Sequence, residues 1–206
     1  MLDSFLYALV ALLVIFDPAG TAVLFAAMTP QDSAAERAEQ ARRACAISFV
    51  VLAAFALAGE GLLSALGIGL PAMKVAGGVL LFLTATDMVT ARGELRATPR
   101  EQEAATRTND DISVFPLAIP LIAGPGAMTT MVLLRTRSAG DPWKIGAVLA
   151  ALTAALLVTL AALLAARRAQ ALLGETGSSV IGRVLGVLLA ALAAQIALEG
   201  LRETLG

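Results

Sequence analysis

The sequence predicts an all-α membrane protein whose six transmembrane helices form two inverted three-helix repeats. Three observations lead to this prediction: an apolar composition, six long apolar runs, and a proline-centred break at matched places in the two halves. Of 206 residues, 58% are hydrophobic and 15% are charged, and the mean hydropathy is +0.83. Soluble domains have about 45–50% apolar and about 25% charged residues. The chain is therefore predicted to lie in a lipid bilayer.

Six segments are long and apolar enough to cross the membrane. The run from 145 to 166 contains no charged residue, and at about 1.5 Å per residue it covers roughly 30 Å, the thickness of the hydrocarbon layer. The predicted spans are 3–29, 44–66, 71–91, 113–135, 145–166 and 179–200. Residues 1–91 then form the first repeat, 92–112 a polar cytoplasmic linker, and 113–206 the second repeat.

The distribution of Lys and Arg predicts the orientation. The loops after the first, third and fifth spans contain Arg37, Arg42, Arg43, Arg92, Arg96, Arg100, Arg107, Arg167 and Arg168. The opposite side has Arg135, Arg137, Lys144 and Arg202. Because cytoplasmic loops are enriched in Lys and Arg, both termini are predicted outside the cell and the Arg-rich loops in the cytoplasm.

Composition also excludes several kinds of site. The chain has no histidine and a single cysteine, Cys45, so no metal-ligand cluster, cofactor or intrachain disulfide is expected. A net charge of −1 gives no reason to expect nucleic-acid binding. No G-x-x-x-x-G-K-[ST] motif for ATP is present, and no nucleophile–base pair is visible. The chain is not expected to be an enzyme.

The two halves resemble each other in sequence. IFDPAGTAVLF (15–25) aligns with IAGPGAMTTMVLL (122–134) when Pro18 is set on Pro125, 107 positions later. At this or nearly this offset, Leu66-Gly67 aligns with Leu173-Gly174, Lys74 with Arg183 and Gly77 with Gly186. With three spans each, an odd number, the halves must cross the membrane in opposite directions. Inverted repeats with interrupted helices in matched positions indicate a transporter's binding site.

Each repeat has its break near the middle of its first span. Pro18 suits the first position of a new helix and Asp17 its N-cap. Gly124-Pro125-Gly126 opens a second half-helix with no acidic cap, and such an N-terminus with free amides attracts anions. Unsatisfied backbone groups at this depth must face protein or a watery cavity. Kinks that serve packing alone are the alternative interpretation.

We hypothesise that the second break holds the carboxylate of a small zwitterion while Asp17 faces its ammonium group. The hydroxyl groups of the nearby threonines are further candidates for binding. The predicted substrate-binding residues are Asp17, Pro18, Gly20, Thr21, Gly124, Pro125, Gly126, Ala127, Thr129 and Thr130. Glu60 is the candidate for a titrating, ion-coupling group, because ionisable side chains within a span are costly and tend to be functional.

Other residues of the spans suggest roles in packing. Gly182, Gly186, Ala190 and Ala194 recur every four residues along the sixth span, and such stripes let helices approach closely. They also permit a homo-oligomer. Gln195, expected to be buried on the same helix, is polar enough to join a network or face the cavity. Lys74 is expected to extend to the membrane surface.

Several stretches resemble the MarC family of bacterial inner-membrane proteins, which includes the SnatA-type neutral amino-acid transporters. They are FDPAG (16–20), GLLSALGIGLPAMKVAGGVLLFLTATDM (61–88), VFPLAIPLIAGPGAMTT (114–130) and RVLGVLLAALAAQIALEGL (183–201). The resemblance covers essentially the whole length. The first motif differs from the family's usual form, in which Asn follows the Gly and Pro comes two residues later. Thr21 and Val23 occupy those positions here.

The resemblance implies two inverted repeats, with discontinuous helices one and four forming the site. It also implies a multi-pass protein of the bacterial inner membrane, and transport of small neutral amino acids such as glycine, alanine or serine for some members. The sequence thus predicts a secondary transporter working by alternating access. A non-transporting scaffold or accessory protein is the main alternative. A channel would need rings of charge or a filter-like sequence, and neither is evident.

Overall fold

The computed structural model of the chain describes residues 2–90, 112–138 and 140–205, and these residues are almost entirely helical. The side chains of 27, 168–179, 181 and 182 are outside this description, as is the predicted linker 92–112 apart from Ile112. The elements are α1 (Leu2–Phe16), α2 (Pro18–Met28), α3 (Ala34–Ala65), α4 (Leu70–Thr90), a kinked segment (Ser113–Ile122), α5 (Pro125–Arg137), α6 (Pro142–Leu164) and α7 (Ala166–Leu205). The kinked segment is called the π-helical segment below, although Phe115 and Ile119 within it have an extended backbone.

Five segments are long and apolar enough to cross a membrane. They are Leu2–Ala26, which joins α1 to α2, then Ala34–Ala65, Leu70–Thr90, Pro142–Leu164 and Arg183–Leu205. The π-helical segment and α5 qualify as a sixth span if they are taken together, with a bend of 55° between them. The predicted all-α membrane protein is thus confirmed. The predicted spans agree with these segments in order, and in number when the bent pair counts as one span.

Two helices extend further than the predicted spans. α3 begins ten residues before 44, because Ser33 caps it: Ser33 Oγ accepts a hydrogen bond from Glu36 N at 3.2 Å, and Glu36 Oε2 accepts one from Ser33 N at 2.8 Å. Such a capping box starts a helix even in polar sequence. α7 runs without a break through residues 167–178, where a loop was predicted. Gly67 and Gly174, which the sequence comparison of the two halves aligned, therefore differ in structure. Gly67 lies in a turn with φ +69°, and Gly174 lies inside α7.

Helices α4 and α7 pack antiparallel through glycines. A Cβ on Gly78 would lie 2.8 Å from Ala193 O and from Ala197 N, so the two backbones touch at this point. Gly186 meets Met88, and Gly200 meets Pro71, where added Cβ atoms would lie 2.9 and 2.6 Å from the nearest atoms. The packing role predicted for the glycine of the sixth span is confirmed for Gly186, which packs within its own chain.

The remaining helices surround the interrupted spans. α3 packs against the π-helical segment and α5, and α6 packs against α1 and α2. α4 contacts α5, α7 contacts α2, and α3 meets α6. At one end of the bundle Arg167 Nη2 donates a hydrogen bond to Pro30 O at 2.7 Å, and at the other Lys74 pairs with Glu203. The loops after the first and fifth spans therefore lie on one side, and the start of α4 and the C-terminal end of α7 on the other.

Candidate functional site

The first interruption lies at Asp17, between α1 and α2. Asp17 has φ 41°, in the left-handed region that Asp tolerates better than most residues. Its Oδ1 accepts a hydrogen bond from Gly20 N at 3.1 Å, which confirms its predicted place as N-cap. Gly20 is required here, because a Cβ would lie 2.1 Å from Asp17 Oδ2. Thr21 Oγ1 donates a hydrogen bond to Phe16 O at 2.7 Å, so the carbonyl of the last residue of α1 has a partner at the start of α2.

The second interruption lies at Ala123 and Gly124. Gly124 is extended, with φ −76° and ψ 170°, and its carbonyl accepts a hydrogen bond from Met128 N at 3.0 Å. No described side chain caps the N-terminus of α5, as the sequence predicted. Pro125 is exposed, whereas Gly126 and Ala127 are buried. Gly126 approaches Leu81 closely: an added Cβ would lie 2.4 Å from Leu81 Cδ2, so a side chain at this position would require Leu81 to move.

The two predicted threonines of α5 differ in their hydrogen bonding. Thr129 Oγ1 donates to Pro125 O at 2.9 Å, and its methyl group faces Gly77. Thr130 is only 4% exposed, and its Oγ1 has no hydrogen-bond partner among the described residues. Because a buried, unpaired hydroxyl costs about 1–3 kcal/mol, a water or a solute is the expected partner of Thr130.

Thr130 opens towards a cavity that runs along α1 and α5. The inner part holds about 10 Å³, room for one water at most. It is lined by Tyr7, Ala11, Thr130, Leu133, Leu134, Arg137, Leu192 and Ile196. The outer part holds about 240 Å³. It is lined by Asp3, Ser4, Tyr7, Leu134, Arg137, Ser138 and Val148. The side chains of Tyr7, Leu134 and Arg137 are common to both parts.

Two of these lining residues, Tyr7 and Arg137, take part in contacts that link α1, α5 and α7. Arg137 Nη2 donates a hydrogen bond to Glu199 Oε2 at 2.7 Å, and its guanidinium carbon lies 5.3 Å from the centre of the Tyr7 ring. Gln195 Nε2 donates to Glu199 Oε1 at 3.1 Å. The predicted polar network at Gln195 is confirmed, but the expectation of burial is wrong: Gln195 faces outward on α7.

Tyr7, Arg137 and Glu199 were not among the predicted site residues. Arg137 entered only as a loop charge, and Glu199 lies 62 positions away, so nothing local indicated their contact. The available signal was Tyr7, the single tyrosine of the chain, set in an apolar run. Glu60, the predicted coupling group, is exposed near the end of α3. It is not among the residues that line the cavity.

The contact between Gly77 and Thr129 predicts coupled effects on stability. In Gly77→Ala the new Cβ would lie 1.9 Å from Thr129 Cγ2, and such overpacking costs about 1–3 kcal/mol. Thr129→Ala removes Cγ2, so the double variant is expected to regain part of that loss. Thermal unfolding in detergent of the unchanged protein, the two single variants and the double variant measures the coupling between Gly77 and Thr129. Strictly additive effects would contradict the contact.

No metal or cofactor site follows from this geometry. In the described ranges 2–90, 112–138 and 140–205, no three His, Cys, Asp or Glu side chains are grouped to hold a metal ion. The polar groups that the structure does bring together are a guanidinium, carboxylates and hydroxyls around the cavity. They can recognise a small charged or zwitterionic solute by hydrogen bonds.

Similarity to known proteins covers nearly the whole chain. The model of the MarC family integral membrane protein matches residues 2–205. A UPF0056 membrane protein of Archaeoglobus fulgidus is 33% identical over 99% of this chain and 95% of its own length. YvbG of Bacillus subtilis, a UPF0056 membrane protein, is 31% identical over 98% and 96%. The UPF0056 inner membrane protein YhgN of Escherichia coli is 31% identical over 98% of both chains.

No solved structure matches the chain. The family match nevertheless spans both halves and includes the FDPAG and IAGPGA stretches that contain the two interruptions. The relatives named above are aligned along nearly their full length. The chain is a multi-pass membrane protein and belongs to the MarC (UPF0056) family.

Proposed function

We propose that the protein is a secondary transporter of small neutral amino acids or similar small metabolites. It works by alternating access around the interruptions at Asp17 and Gly124, and it resides in an inner membrane with both termini on the outer side. The inner-membrane location is supported by the relative YhgN, which is named an inner membrane protein. The orientation is supported by the Arg-rich loops, two of which lie on the same side.

The observation that best supports this function is the register between α1 and α5. Tyr7 and Ala11 of α1 line the inner part together with Thr130, Leu134 and Arg137 of α5, and of these residues Tyr7, Leu134 and Arg137 also line the outer part, whereas Ala11 and Thr130 do not. The two helices thus run antiparallel. Six residues beyond Ala11 on α1 is Asp17, and six residues before Thr130 on α5 is Gly124. Continuing this register brings the two interruptions to the same level of the bundle.

The packing of the helices supports an inverted repeat. α3 packs on the fourth span and α6 on the first, while α4 contacts α5 and α7 contacts α2. If the three spans of the first half are exchanged with those of the second, the contact of α3 with the fourth span becomes the contact of α6 with the first span. The contact of α4 with α5 likewise becomes the contact of α7 with α2. The contacts of α4 with α7 and of α3 with α6 are unchanged by the exchange. This reciprocity is what two inverted copies of one unit would produce.

The chemistry of the two interruptions suits a zwitterion. The start of α5 lacks a side-chain cap, so its positive end is available to a carboxylate. The half-buried carboxylate of Asp17 makes one described hydrogen bond, to Gly20 N, and can attract an ammonium group. Phe16, Ala22, Ala123 and Ala127 belong to one apolar cluster. Such surroundings favour a solute with a small neutral side chain.

Counterflow in proteoliposomes tests the proposal. Vesicles that contain the purified protein and unlabelled glycine or alanine are diluted into a trace of the labelled amino acid. A carrier is expected to accumulate the labelled amino acid transiently above its equilibrium level. Labelled molecules enter in exchange for unlabelled ones for as long as the unlabelled amino acid inside remains in excess. Empty vesicles and vesicles loaded with glutamate serve as controls. A scaffold would give no flux, and a channel would give equilibration without an overshoot; either result contradicts the proposal. Coupling through Glu60 and self-association stay predictions.

A further inference from the structure

The outer part of the cavity has the composition of a binding site that is separate from the two interruptions. It offers the guanidinium of Arg137, the carboxylate of Asp3 and the hydroxyl groups of Ser4 and Ser138, set between the apolar Leu134 and Val148. Its volume of about 240 Å³ lies just below the roughly 300–1,000 Å³ typical of sites for drug-sized ligands. A solute of a few heavy atoms with charges of both signs fits this set of groups.

Arg137 is suited to bind a carboxylate in this cavity. Its guanidinium presents a planar fork of donors, and the stack over Tyr7 holds that fork in place. One nitrogen, Nη2, is bonded to Glu199 at the boundary with α7. Arg137 is 44% exposed at its side chain, so the rest of the fork can reach a solute. Glu199 already shows that a carboxylate is accepted there.

The outer cavity also leads towards Thr130. Its wall at Tyr7, Leu134 and Arg137 is shared with the narrow inner part, where the unpartnered Thr130 hydroxyl lies. The residues between a solute in the outer part and Thr130 thus include Tyr7, Leu134 and Arg137. The two positions therefore lie in series along α1 and α5.

We propose that this outer cavity is a second binding site, specific for small solutes with a carboxylate, in which Arg137 binds the carboxylate and competes for it with Glu199. Asp3, which lines the same cavity, selects solutes that also bear an ammonium group. The site extends the proposed transport function by a position outside the interruptions. It requires binding alone, so it can be tested without measuring transport.

Protection of an introduced thiol reports occupancy of this cavity directly. The native Cys45 is buried and is replaced by Ala, and Ser4→Cys places a thiol in the cavity wall. Labelling by a small neutral methanethiosulfonate is followed in detergent with added glycine, acetate or methylammonium. Glycine and acetate are expected to slow labelling, glycine at the lower concentration. Methylammonium alone is expected to have little effect at either concentration.

Two substitutions are expected to shift the glycine concentration for half protection in opposite directions. Arg137→Gln should raise it about tenfold or more, because a charge-assisted hydrogen bond is lost. Glu199→Gln should lower it about two- to fivefold, because a competing exposed carboxylate is removed. Arg135→Gln, on the same helix but outside the cavity wall, should leave it unchanged. Arg137→Lys keeps the positive charge but not the planar fork of donors, so it should give an intermediate glycine concentration for half protection. This variant also provides the test if Arg137→Gln does not fold.

The parent of these variants is the protein with Cys45→Ala and Ser4→Cys. Absence of protection by glycine in this parent would overturn the proposal. Equal protection in the parent and in Arg137→Gln, or a loss of protection in Glu199→Gln, would do so too. The result is independent of the interruptions: Asp17→Asn should keep Arg137-dependent protection. A protein without counterflow that still shows this protection would refute the transport proposal and retain the outer site.

Discussion

Asp17→Asn is expected to reduce glycine counterflow at least about tenfold while the yield and unfolding temperature of the protein change little. Asn matches Asp in shape, tolerates the left-handed conformation and is an equally good N-cap, so the bond to Gly20 N is retained. Only the negative charge is lost. Hydrogen bonds to charged groups contribute about 1.5–3 kcal/mol, and about 1.4 kcal/mol corresponds to a tenfold change.

Asp141 provides a matched control for this experiment. It is also the N-cap of a helix, and its Oδ1 accepts a hydrogen bond from Trp143 N at 2.9 Å. It lies at the start of α6 and is outside both interruptions. Asp141→Asn should leave counterflow unchanged. Asp17→Ala should lose both the charge and about 1 kcal/mol of capping. Transport by Asp17→Asn at the rate of the unchanged protein would remove Asp17 from the site.

Gly78→Leu is expected to cause the largest loss of stability among single substitutions in the α4–α7 interface. The Cβ alone would lie 2.8 Å from two backbone atoms of α7, and a backbone cannot yield as a flexible side chain can. Overpacking costs about 1–3 kcal/mol even where side chains can adjust, so a larger loss is expected here. Thermal unfolding in detergent and the fraction of monodisperse protein on gel filtration measure the effect.

Gly61→Leu is the control for the change of residue type. Gly61 also lies in a helix, α3, and no atom stands within 4 Å of an added Cβ. Because leucine is a better helix former than glycine by nearly 1 kcal/mol, this variant should be as stable as the parent or more so. If Gly78→Leu unfolds at the temperature of Gly61→Leu, the close approach of α4 and α7 is wrong.

The sequence was most informative where a single residue type determines the local structure. Apolar runs predicted the spans, Pro18 and Asp17 the start of α2, and Gly124-Pro125 the start of α5. The irregular backbone of Ser113–Ile122 was not predicted, because the apolar run alone was used to define that span. Pro116 and Pro120 were the available signal, since proline disfavours the helical conformation of the residue before it, and Phe115 and Ile119 are extended. The first residue of α3 was missed because polar residues continue a helix once Ser33 has capped it.

The cavity could not be predicted from local pattern. Its wall combines the start of α1, the end of α5 and the last turns of α7, which come together only through packing. Arg137 and Glu199 each look like an ordinary charge at the end of a span. Thr130 was selected for its hydroxyl group, but its lack of a partner depends on which side chains surround it, and sequence does not contain that information.

The two interruptions are held in place by different contacts. Every described hydrogen bond at Asp17 is formed within residues 13–21, and the flanking helices α1 and α2 pack against α6 and α7. At the second interruption, the methyl group of Thr129 sits in the notch left by Gly77 of α4, and α5 cannot slide along α4 without leaving it. Substitutions at Asp17 are therefore expected to disturb a local turn first, whereas substitutions at Gly77 or Thr129 are expected to disturb the packing of α5 on α4.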